Sequence, residues 1–437
     1  MHLCFLTLEY PTRPPWGGIA TYIRELTHVL IELGHQCTVI CVLPGSEGEV
    51  EQDDGVEVHF VPSVRIRMRR VLRLLARLPG LQRAQDLAEA WSYVEASVAA
   101  WRALQKVHRQ QPVDLVEIQD WGGVGLWTLL RKYALKGHGR QPRFVLRGQG
   151  HMMNRLRGGR VAGMGDVAQH WFERFCAQRV DFVLPNAAHL AQEMLVDFDL
   201  APHRIGYLHY GINTNFPLPE RDIARRRLAL EEHHVLITYA GRLESFKRVT
   251  VLFDAMRPVH QAFPNVRLAL LGRLTDAHIQ DQYHRFMLEA PFWAWHPGGI
   301  SHTEVAAVMC ATDIFAYPST HEPFSRAMLE AMAHGLPIVA SRSGCALEMV
   351  EEGVTGLLFE PGNAQAMAEA LLSLCRDPAR RRAMGQRARE RAIACFEIRD
   401  RAAEQMRLYE RLVAGESLRS FSLASTQSVT HTFTQGL

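Results

Sequence analysis

The chain has 437 residues, 47% of them hydrophobic, and a formal net charge of +3. That length exceeds one average domain and predicts two, each with enough apolar content for a full core, while the near-balanced charge excludes the strongly basic face of a nucleic-acid binder. No apolar run of about 18 residues occurs, and Met1-His2-Leu3-Cys4-Phe5 lacks the basic region and cleavage site of a secretory signal, which predicts a cytoplasmic protein.

The opening reads as a strand, a loop and a helix. His2 to Leu8 is apolar, Pro11 to Gly18 is rich in Pro and Gly, and Ile19 to Leu33 has helical apolar spacing closed by Gly34. Gln36 to Leu43 is a continuous β-branched run that suits a parallel strand covered on both faces, completing a β-α-β unit. Val56–Val61, Val113–Ile118, Phe144–Leu146 and Phe182–Leu184 continue the strand series with helical segments between most of them, so a doubly wound sheet is expected. A second series runs through Val235–Ala240, Val266–Leu271, Ile314–Tyr317, Pro337–Ala340 and Gly356–Phe359. Within it Ser301-His302-Thr303-Glu304 is a capping box for a helix reaching Ala311. The Pro- and Asn-bearing stretch from Tyr210 to Arg221 reads as the linker, with the boundary near Ile212. From Pro378 the chain is helical and Arg-rich. The organisation expected is thus 1–212, 213–396, a C-terminal helix at 397–414 that could dock on a neighbouring domain, and a disordered Ser/Thr-rich tail at 415–437.

The cysteines are scattered with no C-x-x-C and read as buried free thiols. Histidine pairs such as His203/His209 and His296/His302 lack the spacing that aims two imidazoles at one metal from a single helix. Asp197-Phe198-Asp199 is formally a D-x-D, but it precedes the linker rather than following a core strand, and no metal is expected there. Gly122-Gly123-Val124-Gly125 follows a strand without forming G-x-G-x-x-G, which argues against a nicotinamide dehydrogenase.

Two constellations carry chemistry. The strand ending at Ala240 runs into Gly241-Arg242-Leu243-Glu244-Ser245-Phe246-Lys247, placing two cations where open α/β sheets bind ligands. Arg242 offers a donor fork and Lys247 a point charge, a pair suited to a pyrophosphate leaving group, although alone they would equally suit a solvated loop. Further on, Glu322 and Glu330 stand eight residues apart after another strand. A helix is expected from near Phe324 to Gly335; at about 1.5 Å per residue it would separate the carboxylates by roughly 12 Å, the span from a donor sugar to a ribose. The amides of Phe324, Ser325 and Arg326 would then face the phosphates between them. The alternative is an acid complementing a helix dipole plus a solvated Glu.

These motifs, with Gly17-Gly18, Gly211-Ile212-Asn213, Glu330-Ala331-Met332-Ala333-His334-Gly335-Leu336-Pro337 and Gly353…Gly356, resemble the retaining glycosyltransferases of family 4 (glycosyl transferases group 1) over nearly the whole chain before the tail. The resemblance implies an α/β GT-B fold, two Rossmann-like doubly wound parallel-sheet domains facing a cleft. It implies transfer from a UDP- or GDP-sugar to a glycan, lipid-linked or small-molecule acceptor with retained anomeric configuration. No cofactor and no obligatory metal are expected, the nucleotide sugar being a substrate. Arg242 and Lys247 would hold the diphosphate, Glu322 the donor sugar and Glu330 the ribose, with Gly17 and Gly18 letting backbone amides approach donor or acceptor. Where family members often carry His then Gly, this chain reads Arg147-Gly148-Gln149-Gly150-His151, leaving that role open between Gln149 and His151. Asp120 ends a strand and is an acceptor-side candidate. A sugar-nucleotide epimerase, a phosphorylase or a non-catalytic donor-binding subunit would keep the same fold. Finally, 65–78 is Arg-rich and amphipathic as a helix, with Arg69, Arg70, Arg73 and Arg77 on one face, which suits peripheral contact with the inner face of the cell membrane.

Overall fold

The structure, a computed structural model, describes residues 1–13, 17–64, 77, 84–132, 141–151, 153, 156, 163–216, 220–416 and 418. The chain divides into two compact units, one made of Met1–Gly211 with the segment that starts at Ile398, the other of Ile212–Glu397. The 65–78 segment, apart from Arg77, lies outside the described residues, as does the tail beyond Glu416 except Leu418.

The first unit runs β1 (His2–Thr7), α1 (Gly18–Glu32), β2 (Gln36–Val42), β3 (Val50–Asp53), β4 (Val56–Val61), α2 (Ala84–Gln110), β5 (Leu115–Gln119), α3 (Leu126–Leu130), β6 (Arg143–Gly148), α4 (Met164–Arg179), β7 (Phe182–Pro185) and α5 (Ala188–Asp197). Its seven strands are ordered β3-β4-β2-β1-β5-β6-β7. Six are parallel; β3 pairs antiparallel with β4 through Asp54-Gly55, both at positive φ, the backbone a two-residue hairpin turn requires. The chain winds outward from β1 in both directions, so the order reverses between β1 and β5. At such a reversal the loops after the two strands diverge, which is where open α/β sheets bind ligands.

The second unit runs α6 (Arg221–Arg227), β8 (Val235–Ala240), α7 (Val249–Ala262), β9 (Val266–Leu271), α8 (Gln280–Glu289), β10 (Ala294–Gly298), α9 (His302–Ala311), β11 (Ile314–Tyr317), α10 (Arg326–Ala333), β12 (Ile338–Ser341), α11 (Ala346–Met349), β13 (Gly356–Phe359), α12 (Ala364–Arg376) and α13 (Pro378–Phe396). Its strands are all parallel in the order β10-β9-β8-β11-β12-β13, with the reversal between β8 and β11. Alternate residues Ile237, Tyr239, Leu268 and Leu270 pack with Phe253 and Met256 of α7 and Leu371 of α12 into its core. The expected capping box is present, the Ser301 amide donating to Glu304 Oε2 at 2.8 Å and the Glu304 amide to Ser301 Oγ at 3.3 Å.

The last helix, α14 (Ile398–Ala414), belongs to the first unit and lies on α1. A buried polar network ties it down. Tyr409 Oη donates to Glu117 Oε2 at 2.5 Å and Gln405 Nε2 to the same oxygen at 2.9 Å. The buried Arg147 guanidinium, donating to the Leu184 and Leu208 carbonyls at 3.1 and 2.8 Å, lies over the Tyr22 and Tyr210 rings. Burial pushes the Glu117 carboxyl up from its ordinary range, against the opposing pull of Arg147.

Candidate functional site

In the second unit the expected residues gather at the reversal of the sheet. The loop after β8 carries Arg242 and Lys247, and the loop after β11 carries Glu322. Because β8 and β11 are adjacent strands, residues 75 apart in sequence meet: Lys247 Nζ forms an ion pair with Glu322 Oε2. Lys247 closes a short 3-10 turn, Ser245–Lys247, whose first amide donates to Asp276 Oδ2 at 2.8 Å. The Glu322 backbone rests on the turn after β12. A Cβ at Gly344 would lie 2.9 Å from the Glu322 carbonyl, and φ there is +54°, so glycine is needed on both counts. Arg242 is largely exposed and pairs with Glu244 at 3.1 Å, its carbonyl accepting from Tyr239 Oη at 2.9 Å.

The helix after Glu322 starts at Arg326, two residues later than the sequence suggested. Ser325 is its N-cap, with Oγ accepting from the Met328 amide at 3.2 Å, because a serine hydroxyl satisfies a first-turn donor that the helix itself cannot. Phe324 therefore lies outside the helix and is buried; Arg326 and Ala327 open the first turn. The estimate of roughly 12 Å between the carboxylates applied to eight helical residues, whereas only the second half of that interval is helical. Glu330 lies one turn along α10, 3.5 Å from Arg326.

In the first unit Gly17 precedes α1 in extended backbone and Gly18 opens it. Their helix end already holds an anion that the sequence reading missed: Glu9, from the loop after β1, accepts the Ala20 amide at 3.2 Å. Asp120, just beyond β5, is fully buried. Its Oδ2 accepts the amides of Gln149 and Gly150 at 2.9 and 3.1 Å, fixing the loop after β6. Burial raises the Asp120 carboxyl above its ordinary range, the two amides and His151 opposing. Gln149 remains half-buried, with Nε2 donating to Gln119 Oε1. His151 is fully buried, edge-on to Phe198, with Nε2 2.7 Å from Asp197 Oδ2. Of the two candidates Gln149 is thus the one with partial access to solvent.

In the D-x-D, Asp197 pairs with His151 while Asp199 is exposed, 3.5 Å from Arg174. Among the described residues the one close group of potential ligands is His28, Asp53 and Asp54. Asp53 there already accepts from Tyr10 Oη at 2.8 Å and from Arg24 Nε at 2.8 Å and Nη2 at 3.0 Å. The eight cysteines are free, seven of them buried.

Two family descriptions match successive parts of the chain: "Glycosyl transferase 4-like domain" over residues 17–211 and "Glycosyl transferases group 1" over residues 220–391. Among curated proteins, the chain is 25% identical to the MMP alpha-(1->4)-mannosyltransferase of Mycolicibacterium hassiacum, over 93% of this chain and 98% of that one. It is 30% identical to the D-inositol 3-phosphate glycosyltransferase of Corynebacterium glutamicum over 58% of this chain and 63% of that one. Among solved structures, the sucrose-phosphate synthase of Thermosynechococcus elongatus superposes with a TM-score of 0.74 at 21% identity, covering 95% and 100% of the two chains. Anabaena Alr3699/HepE in complex with UDP and glucose superposes with a TM-score of 0.69 at 18% identity, covering 93% and 99%.

Proposed function

We propose, for a chain that belongs to the glycosyl transferases group 1 family and is a glycosyltransferase of GT-B fold, that it moves a sugar from a nucleotide-diphosphate donor to its acceptor with retention of configuration. The observation that carries this reading is the Lys247–Glu322 pair at the sheet reversal, beside the Ser325-capped start of α10. A donor diphosphate takes the place of the Glu322 carboxylate on Lys247, exchanging one anion for another. Glu322 is thereby freed to accept hydrogen bonds from donor-sugar hydroxyls. Arg242 and the Arg326 and Ala327 amides add donors where charge grows as the leaving group departs. Glu330, one turn along, accepts from the ribose diol. Because these groups supply the positive charge, the reaction needs no divalent ion.

In the first unit Gln149 offers an amide to the donor or acceptor sugar, while Asp120 and His151 hold its loop in place. UDP in the Anabaena structure, and the mannosyl transfer and the D-inositol 3-phosphate named for the curated relatives, direct the first trials to UDP- and GDP-sugars with phosphorylated polyol, glycan and lipid-linked acceptors. Peripheral contact with the inner membrane face through 65–78 belongs to the same reading.

The test is a panel of nucleotide sugars incubated with and without acceptors, with products followed by mass spectrometry and the new anomeric centre by NMR. Transfer with the donor's anomeric configuration is expected. Isomerisation of the donor without an acceptor, strict dependence on inorganic phosphate, or donor binding without turnover would each replace the proposal.

A further inference from the structure

A chain of side-chain hydrogen bonds runs from the last helix to Gln149, and each link fixes the direction of the next. It starts at Glu117, fully buried on β5. Tyr409 Oη and Gln405 Nε2, one turn apart on one face of α14, both donate to Glu117 Oε2. The other oxygen, Oε1, accepts from Gln119 Nε2 at 2.9 Å. Glu117 and Gln119 stand two residues apart on one strand, so their side chains leave it on the same face. Gln119 is in register with Arg147 of β6, which brings Gln149, just beyond that strand, within reach: Gln149 Nε2 donates to Gln119 Oε1.

The chemistry allows this chain one polarity. An ionised carboxylate only accepts, whereas a glutamine amide has a donating end and an accepting end. The three donors on Glu117 and the charge of Arg147 favour the ionised form and oppose the effect of burial. Gln119 must therefore turn its nitrogen to Glu117 and its oxygen to Gln149. Turned the other way, its oxygen would meet the carboxylate, acceptor against acceptor, in a site closed to water. Gln149 must in turn give its nitrogen to Gln119. That leaves Gln149 Oε1 as the untied end of a half-buried side chain, and among the described residues no donor meets it. The backbone below it is fixed, because the Gln149 amide donates to Asp120 Oδ2.

We propose that Glu117, pinned by Tyr409 and Gln405, is a positioning residue that fixes Gln149 with its carbonyl oxygen free for the ligand, so that Gln149 selects a sugar hydroxyl and rejects the diphosphate. A hydroxyl donates to that oxygen; a diphosphate oxygen only accepts and finds no partner there. The inference deepens the role given to Gln149 above and rests on that reading for the identity of the ligand.

Glu117→Gln is the test, because it reverses the chain without removing a link. With Tyr409 and Gln405 still donating to one end of the side chain, the amide nitrogen introduced at the other end faces Gln119, which turns over and turns Gln149 with it. Calorimetry compares the binding of UDP-glucose and GDP-mannose with that of their deoxyfluoro analogues, in which fluorine replaces one sugar hydroxyl at a time and cannot donate. The wild type should bind a parent sugar about tenfold more tightly than one of its analogues, the worth of a single hydrogen bond, and in Glu117→Gln that preference should fall below about threefold. Affinity for UDP and the thermal midpoint should be kept. Tyr409→Phe, which loosens the same network but leaves Glu117 an acceptor, should retain the wild-type preference. Neutron diffraction from deuterated crystals should find the Gln149 side-chain deuterons on the Gln119 side in the wild type and on the far side in Glu117→Gln. If Glu117→Gln does not fold, Gln119→Met cuts the chain at its next link and should lower the preference in the same direction. Wild-type deuterons turned away from Gln119, no preference for any hydroxyl in the wild type, a preference unchanged in the variant, or equal losses in Glu117→Gln and Tyr409→Phe would each overturn the proposal. A wild type that binds neither nucleotide sugar, yet shows the expected deuterons, would instead count against the donor reading and leave the positioning of Gln149 standing.

Discussion

Asp120 offers a direct way to separate a residue that holds the loop of Gln149 in shape from one that acts on the substrate through its charge. Its Oδ2 accepts two backbone amides, those of Gln149 and Gly150, at 2.9 and 3.1 Å inside a fully buried site. Asp120→Ala strands both donors. An orphaned buried donor costs about 1–3 kcal/mol, so with partial relaxation and relief of the buried charge the variant should lose about 2–5 kcal/mol of stability. Asp120→Asn keeps an oxygen in the same place; its bonds are weaker, but the carboxylate's desolvation cost disappears, and the net change should stay within about 1 kcal/mol. Urea melts of the three proteins, read with turnover, give the comparison. Alanine should lower both stability and rate, and asparagine should keep most of each. The pH dependence carries a sign as well. Because burial raises the folded-state carboxyl, the native protein binds that proton more tightly than the unfolded chain. Wild-type stability relative to the Asn variant therefore falls as pH rises out of the ordinary carboxylate range. An Asn variant as stable as wild type yet as inactive as the Ala variant would refute the reasoning, since the charge itself would then act on the substrate.

Lys247→Ala should cut turnover by about 100-fold or more with the fold intact by circular dichroism; near-normal turnover would remove Lys247 from the mechanism. Activity should survive EDTA, and complete loss with rescue by Mg²⁺ or Mn²⁺ would return Asp197 and Asp199 to consideration as ligands despite the pairing of Asp197 with His151. At Asp53 the Arg24 guanidinium, helped by Tyr10, holds the carboxyl down at about 2. This stabilisation is present above the ordinary carboxylate value and lost as pH falls towards 2, so the gap between wild type and Asp53→Asn in thermal midpoint should close over that acid window and stay open above it.

Where burial alone decides structure, the sequence was readable to the residue. Val235–Ala240, Val266–Leu271 and Ile314–Tyr317 are strands with the bounds their apolar runs indicate, because a parallel strand covered on both faces leaves no polar alternation to misread. The two strands that escaped notice lie at sheet edges. Ala294-Trp-His-Pro-Gly298 is half-exposed and carries a proline, which an edge strand tolerates. Val50-Glu-Gln-Asp53 is four residues long, and its one signal was the Asp54-Gly55 turn behind it. In the site, Lys247 and Glu322 were legible as charges beyond strand ends, but their contact was not. Nothing local says that β8 and β11, separated by two strands in sequence, are neighbours in the sheet. The same holds for His151 with Asp197 and for Asp120 with the loop after β6. Each is a long-range contact set by strand order.

Burial also sorts these polar groups into roles that residue type could not assign. The His151–Asp197 pair is enclosed, and removing one member of an enclosed ion pair or charged hydrogen bond costs about 3–5 kcal/mol, more than a sugar hydroxyl returns on replacing it. Asp120 is bound by the same argument to its two amides. Such groups hold the loop that carries Gln149. Lys247 and Glu322 retain partial solvent access, and Glu322 lies shortly before the Ser325-capped start of α10. For them a phosphate replaces a carboxylate on the lysine, and sugar hydroxyls replace an ammonium on the glutamate, so neither charge is left without a partner. The pair at the second sheet's reversal is therefore suited to exchange its partners for donor groups, while the enclosed groups of the first unit give that loop its shape.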